Sequence, residues 1–100
     1  MFSRHQDEFP PAVPSGANAI AGVSTIELSW DRNSEADFKQ YRIYRSVDGG
    51  PFVKIAEGLE TPTYSDRAIE SGKRYGYAIT SLDQLGNESE KSAPVEIQAP

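Results

Sequence analysis

The chain has 100 residues, 37% apolar and 25% charged, a balance that suits one small domain with its own core and sets it apart from a long disordered region or a transmembrane protein. Ten Lys and Arg against 15 Asp and Glu leave a formal charge of −5, which disfavours general attraction to nucleic acid or an anionic membrane. With no cysteine, there is no disulfide framework, thiol nucleophile or thiolate metal site.

The chain opens with MFSRHQDEFPPAVPSG, which has three prolines, mixed charges and no sustained periodicity. Residues 1–13 are expected to form a flexible arm or linker, its last residues laid along a domain spanning 14–100. The arm lacks the positive start and apolar middle of a secretory signal. His5 is the one histidine in the chain; alone in such a segment, it is expected to be inert.

Asn18 to Ala21 reads as a short edge strand. From Thr25 to Asp31, Ile26, Leu28 and Trp30 share one face while Glu27 and Ser29 share the other, the pattern of a sheet packed on one side. Trp30 is expected to anchor the core, with an indole N–H that needs a partner. DRNSEADF follows as a polar loop. Its alternating Asp31, Asn33, Glu35 and Asp37 resemble calcium ligands, but the glycine and distal glutamate of a calcium loop are missing, so a solvated turn is expected.

The central strand is FKQYRIYR, Phe38 to Arg45. Tyr41, Ile43 and the Arg45 stem point to one side, Arg42 and Tyr44 to the other. SVDGG makes a turn, and PFVKIA reads as the hairpin partner, in which a twist or bulge would let Phe52 and Ile55 both cover the core. Glu57 to Glu60 is expected to turn the chain and Pro62 to Asp66 to form a strand with Tyr64 inward. Asp66 to Gly72 is expected to carry one helical turn or a tight crossover, with Ile69 plugging the core. From Lys73 to Leu82, Tyr75, Tyr77 and Ile79 face inward, while Arg74, Gly76, Ala78 and Thr80 face outward. DQLGNES reverses the chain, with Leu85 closing the end, and Ala93 to Gln98 is a last strand with Val95 and Ile97 inward. Roughly seven short strands imply an all-β sandwich of two antiparallel sheets.

LSWD, YRIYRSVDGGPF, TYSD, GKRYGYAI and DQLGNES, in this order and spacing, resemble a fibronectin type III domain, especially those of bacterial extracellular and carbohydrate-active proteins. The likeness covers about Pro14 to Gln98 and implies the seven-stranded, immunoglobulin-like sandwich of that family. It assigns Trp30 to the core tryptophan of the second strand, and Tyr41 and Ile43 to the inward pair of the third. Tyr75 falls at the tyrosine-corner position, its hydroxyl bonded to upstream backbone. Ile69 is the plug of the connecting loop, and Tyr77 belongs to the same structural set. The Arg-Gly-Asp loop of cell-adhesive members is absent from the sequence.

No nucleophile motif sits in a strand–turn–helix context, and Asp66 with Asp83, or Glu88 with Glu90, is read as turn and solubility chemistry rather than as a catalytic pair. The expectation is therefore a non-catalytic spacer or interaction module. It would position neighbouring domains of a larger, extracellular or cell-surface protein, with no cofactor, metal, nucleic acid or membrane insertion, and as a monomer in isolation. The alternative is a module binding polysaccharide or protein on the outer face around Tyr44, flanked by Arg42 and Arg74. Against that, Tyr44 could simply lie over Gly76 and shield the sheet. Pro51, Pro62 and Pro94 weaken self-association through strand edges.

Overall fold

A computed structural model describes residues 10–100; His5 and the rest of Met1–Phe9 lie outside the described residues. Seven strands form: β1 (Asn18–Ala21), β2 (Ile26–Ser29), β3 (Phe38–Val47), β4 (Val53–Leu59), β5 (Thr63–Asp66), β6 (Arg74–Asp83) and β7 (Val95–Gln98). They make two antiparallel sheets, ordered β1-β2-β5 and β4-β3-β6-β7. Among the described residues there is no helix, so none is long and apolar enough to cross a membrane.

The core follows from side-chain alternation. Ile26 and Leu28 of β2 face Tyr41 and Ile43 of β3 and Tyr75, Tyr77 and Ile79 of β6, all buried. Each buried aliphatic side chain stabilises the fold by about 1.5–3 kcal/mol relative to leaving it in water. Trp30 extends β2 through its N–H to Pro62 O at 3.1 Å and packs edge-on against Tyr41, with centroids 5.2 Å apart. Its indole N–H finds no hydrogen-bond partner among the described residues, so the indole is held by packing and the residue's one anchor of hydrogen bonding is its backbone.

Several local expectations are corrected. β4 runs on to Leu59 instead of turning at Glu57, because two register shifts against β3 and a left-handed Gly58 (φ 74°) bend the strand without ending it. The same bulge brings Ile55 and Ala56 onto the core. Phe52 lies before the bulge and stays on the opposite, outer side, 38% exposed. Leu85 closes nothing: it sits at a loop tip, 66% exposed. The 67–73 segment is a turn without a helix, with Ile69 half-buried against the core.

Asp66 is the largest departure, since it is buried where a solvated turn residue was expected. Alternation with Tyr64 along β5 aims its carboxylate inward. There it accepts hydrogen bonds from the Tyr77 hydroxyl at 2.6 Å, Arg45 Nη1 at 2.9 Å and the Ala68 N–H at 3.1 Å. Arg45 also donates to Ala68 O and lies 5.3 Å from the Tyr75 ring centroid. Burial and the neighbouring carboxylate push the Tyr77 phenol far above its ordinary range, so it stays a donor. Asp66→Ala is expected to destabilise the fold by about 3 kcal/mol, because the Arg45 charge and the Tyr77 hydroxyl lose their shared acceptor. A urea midpoint within error of the parent's would rule out that role.

Candidate interaction face

The outer side of the four-stranded sheet is fixed by the same alternation that builds the core. With Tyr41 and Ile43 inward, Arg42, Tyr44 and Ser46 of β3 turn outward opposite Thr80, Ala78 and Gly76 of β6. The connection after β6 is then drawn alongside that strand by two serines. Ser89 Oγ accepts the Ser81 N–H and Ser92 Oγ accepts the Ile79 N–H, each at 3.0 Å, while the serine N–H groups donate to the Ser81 and Ile79 carbonyls. Side chains thus complete a ladder where regular strand pairing has lapsed, and Glu88 and Lys91 land on the outer face.

Glu88 joins three neighbours. One carboxylate oxygen accepts Arg42 Nη1 at 2.9 Å; the other accepts the Tyr44 hydroxyl at 2.5 Å and Thr80 Oγ1 at 2.7 Å. Arg42 Nε lies 3.5 Å from Glu57, an ion-pair distance without a hydrogen bond, and Lys54 pairs with Glu57 at 2.9 Å. Lys91 Nζ stands 4.6 Å from the Tyr44 ring centroid. Burial alone would raise the Glu88 pKa, but the hydroxyl donors and the Arg42 guanidinium outweigh it and hold the carboxyl below its ordinary value. Burial and then Glu88 push the Tyr44 phenol up.

Arg42 and Tyr44 are therefore neighbours in one network. Arg74 is not part of it. It begins β6, four residues from the Ala78 that faces Tyr44, about 13 Å away by strand rise, and pairs with Glu96 at 3.2 Å. Gly76 lies under Ser46 and Phe52 rather than under Tyr44: a methyl group there would meet Ser46 Oγ at 2.6 Å. Sequence reasoning did not find Glu88 or Lys91, whose contacts span a loop and obey no period. Among the described residues, no group of three or more His, Cys, Asp or Glu side chains is placed to hold a metal ion.

No protein-family model matches the chain. It is 31% identical to an Fn3-like protein from Clostridium thermocellum, with a TM-score of 0.76 over 90% of this chain and 94% of that one. This chain is a member of the fibronectin type III family. It is also 43% identical, over 87% of its length, to an amylopullulanase of Thermoanaerobacterium saccharolyticum, and 30% identical to a beta-1,2-glucanase from Parabacteroides distasonis, with a TM-score of 0.74 over 91% of this chain. It spans 7% of the first and 14% of the second.

In this fibronectin type III domain the Tyr75 ring is buried, and its hydroxyl accepts the Glu70 N–H at 2.8 Å. Tyr75→Phe is expected to cost about 1 kcal/mol in chemical denaturation, with the Glu70 N–H left without its acceptor. An unchanged midpoint would count against the corner. Glu88 has the opposite signature, visible in pH. Its folded pKa lies below the unfolded one, so its contribution is full above the unfolded value and fades as pH falls through the folded value. Glu88→Gln is expected to lower the urea midpoint at about pH 7 and to lower it by less at about pH 3, below the unfolded-state value, where part of the carboxylate's contribution is already lost. An equal loss at both pH values would remove the ionised network as the cause.

Proposed function

We propose that residues 14–100 act as a non-catalytic spacer that holds neighbouring domains of a larger protein at a set separation, with residues 1–13 as the connecting arm. The observation that carries this reading is where the chain enters and leaves. Ala12 is bonded to Ser81 near one end of β6, whereas Ala99 is bonded to Lys73 just beyond the other. The eight-residue interval corresponds to about 26 Å of strand, so attachments would lie at opposite ends of the sandwich. The small share that the chain takes of long glycan-processing relatives supports a place within an extracellular, carbohydrate-active parent.

The second reading makes the outer face a binding surface for polysaccharide or protein, through Arg42 and Tyr44 with Arg74 further along the sheet. The same glycan-processing relatives favour it. One experiment separates the two. Compact reporter domains fused to both ends are spin-labelled and their distance distribution is compared with that across a Gly-Ser linker of equal residue number. A spacer gives the narrower distribution; equal widths would end the spacer reading. In parallel, amide NMR spectra recorded during titration with soluble α- and β-glucans are expected to stay unchanged. Saturable shifts clustered on Arg42, Tyr44 and Arg74 would replace the spacer with a glycan-binding module.

A further inference from the structure

The loop that resembled a set of calcium ligands faces the chain's own backbone. Asn33 and Glu35 turn toward Ala12. Glu35 Oε2 accepts the Ala12 N–H at 2.7 Å, and the Ala12 carbonyl accepts both Asn33 Nδ2 at 3.0 Å and Ser81 Oγ at 2.7 Å. The donor and both lone pairs of one residue are thus satisfied by three side chains from distant parts of the chain. Those side chains are themselves held. Asn33 Nδ2 also donates to Glu35 Oε1 at 3.0 Å, and the Asn33 N–H donates to the hydroxyl of buried Tyr41 at 2.6 Å. Ser81 is fully buried.

The burial pattern of the segment matches these fastenings. Pro11 and Pro14 are buried while Ala12 and Val13 are exposed, and a spacing of three is the repeat of a polyproline II strand, which returns the same face each turn. A second fastening follows at Ser15. Its carbonyl accepts the Asp31 N–H at 2.9 Å, and its hydroxyl donates to Asp31 at 3.2 Å. Gly16 then bends the chain toward β1 with φ 71°, where any Cβ would fall 2.5 Å from the Asp31 carboxylate. The Ala12 N–H is among the groups that draw the Glu35 carboxyl below its ordinary pKa against the opposing pull of burial.

We infer that Asn33, Glu35 and Ser81 form an intramolecular clamp that reads the Ala12 peptide groups, with Pro11 and Pro14 as its anchors, and so fixes the direction of the chain where it joins the domain at Pro11–Pro14. A charge-assisted N–H to carboxylate bond, two bonds to one carbonyl and the burial of Pro11 and Pro14 oppose the cost of ordering the segment, which the fixed φ of its prolines lowers. The clamp's usefulness rests on the spacer reading, because a defined approach matters where something precedes the domain. Its existence does not.

The test is amide exchange and 15N relaxation on the full chain, with no neighbour attached, so that its failure is separable from failure of the spacer. In the parent protein the Ala12 amide is expected to exchange at least about tenfold more slowly than in an unstructured peptide. Glu35→Ala should abolish that protection and raise Val13 mobility while Ile43 and Ile79 stay protected. Should Glu35→Ala unfold the domain, Ala12→Pro removes the donor from outside the core and should likewise raise Val13 mobility and shift the Asn33 side-chain amide. An unprotected Ala12 in the parent, or protection unaltered by Glu35→Ala, would overturn the clamp. Protection that grows with protein concentration would also overturn it, since a second copy's segment would then be meeting Asn33, Glu35 and Ser81.

Discussion

The ladder between β3 and β6 is the constraint on which the rest of this domain depends. Opposite residues of an antiparallel pair share a face, so Ile43 with Ile79 goes to the core and Tyr44 with Ala78 to the outer side as one decision. A slip of one residue in one of the strands would exchange its dry and wet sets. It would put Tyr41 and Ile43, or Tyr77 and Ile79, into water. Core and outer face are therefore not separate properties, and the Arg42–Glu88–Tyr44 network exists because Tyr41 and Ile43 are buried.

With no disulfide available, three tyrosines tie two connections and the end of β5 to the core. Tyr41 accepts the Asn33 N–H, Tyr75 accepts the Glu70 N–H, and Tyr77 donates to Asp66. Each ring contributes apolar area inside while its hydroxyl fixes a segment outside the strand. Phenylalanine would bury similar area and leave the connection unfastened. Asp66 extends the principle, since one carboxylate gathers Tyr77, Arg45 and the turn at Ala68. Burying that charge is tolerable because its oxygens are met by donors. Asp83 works likewise at the other end of β6, accepting the Leu85 and Asn87 N–H groups.

The legible parts of the sequence were those ruled by a period. Alternation in β2, β3 and β6 marked Ile26, Leu28, Tyr41, Ile43, Tyr75, Tyr77 and Ile79 as inward, and all are buried. Where the period breaks, reading became harder. Ile55 and Phe52 were separated by a bulge, whose position depends on how β4 meets β3 rather than on either strand alone. Asp66 did carry a signal, sharing parity with Tyr64, but its residue type argued for a turn, and the deciding partners lie 11 and 21 residues away. Glu88 and the Ala12 clamp had no local signal. Both are made by side chains brought together only after the sheets have formed.

The outer face illustrates why residue type alone is a poor guide to binding. Tyrosine flanked by arginine is the composition of many recognition surfaces, yet here the charges are matched within the domain. Glu88 meets Arg42, Glu57 meets Lys54, and Glu96 meets Arg74. A ligand competing for the Tyr44 hydroxyl or the Arg42 guanidinium would first have to break hydrogen bonds to a carboxylate, each worth about 1.5–3 kcal/mol. It would also have to displace Lys91 from the tyrosine ring. Bulges along β4 and the short β7 likewise make poor templates for an added strand. Apart from Arg42 Nε, which has an ion-pair neighbour but no hydrogen bond, the polar groups of this network are engaged within the domain, so the face holds its shape whether or not anything lies beside it.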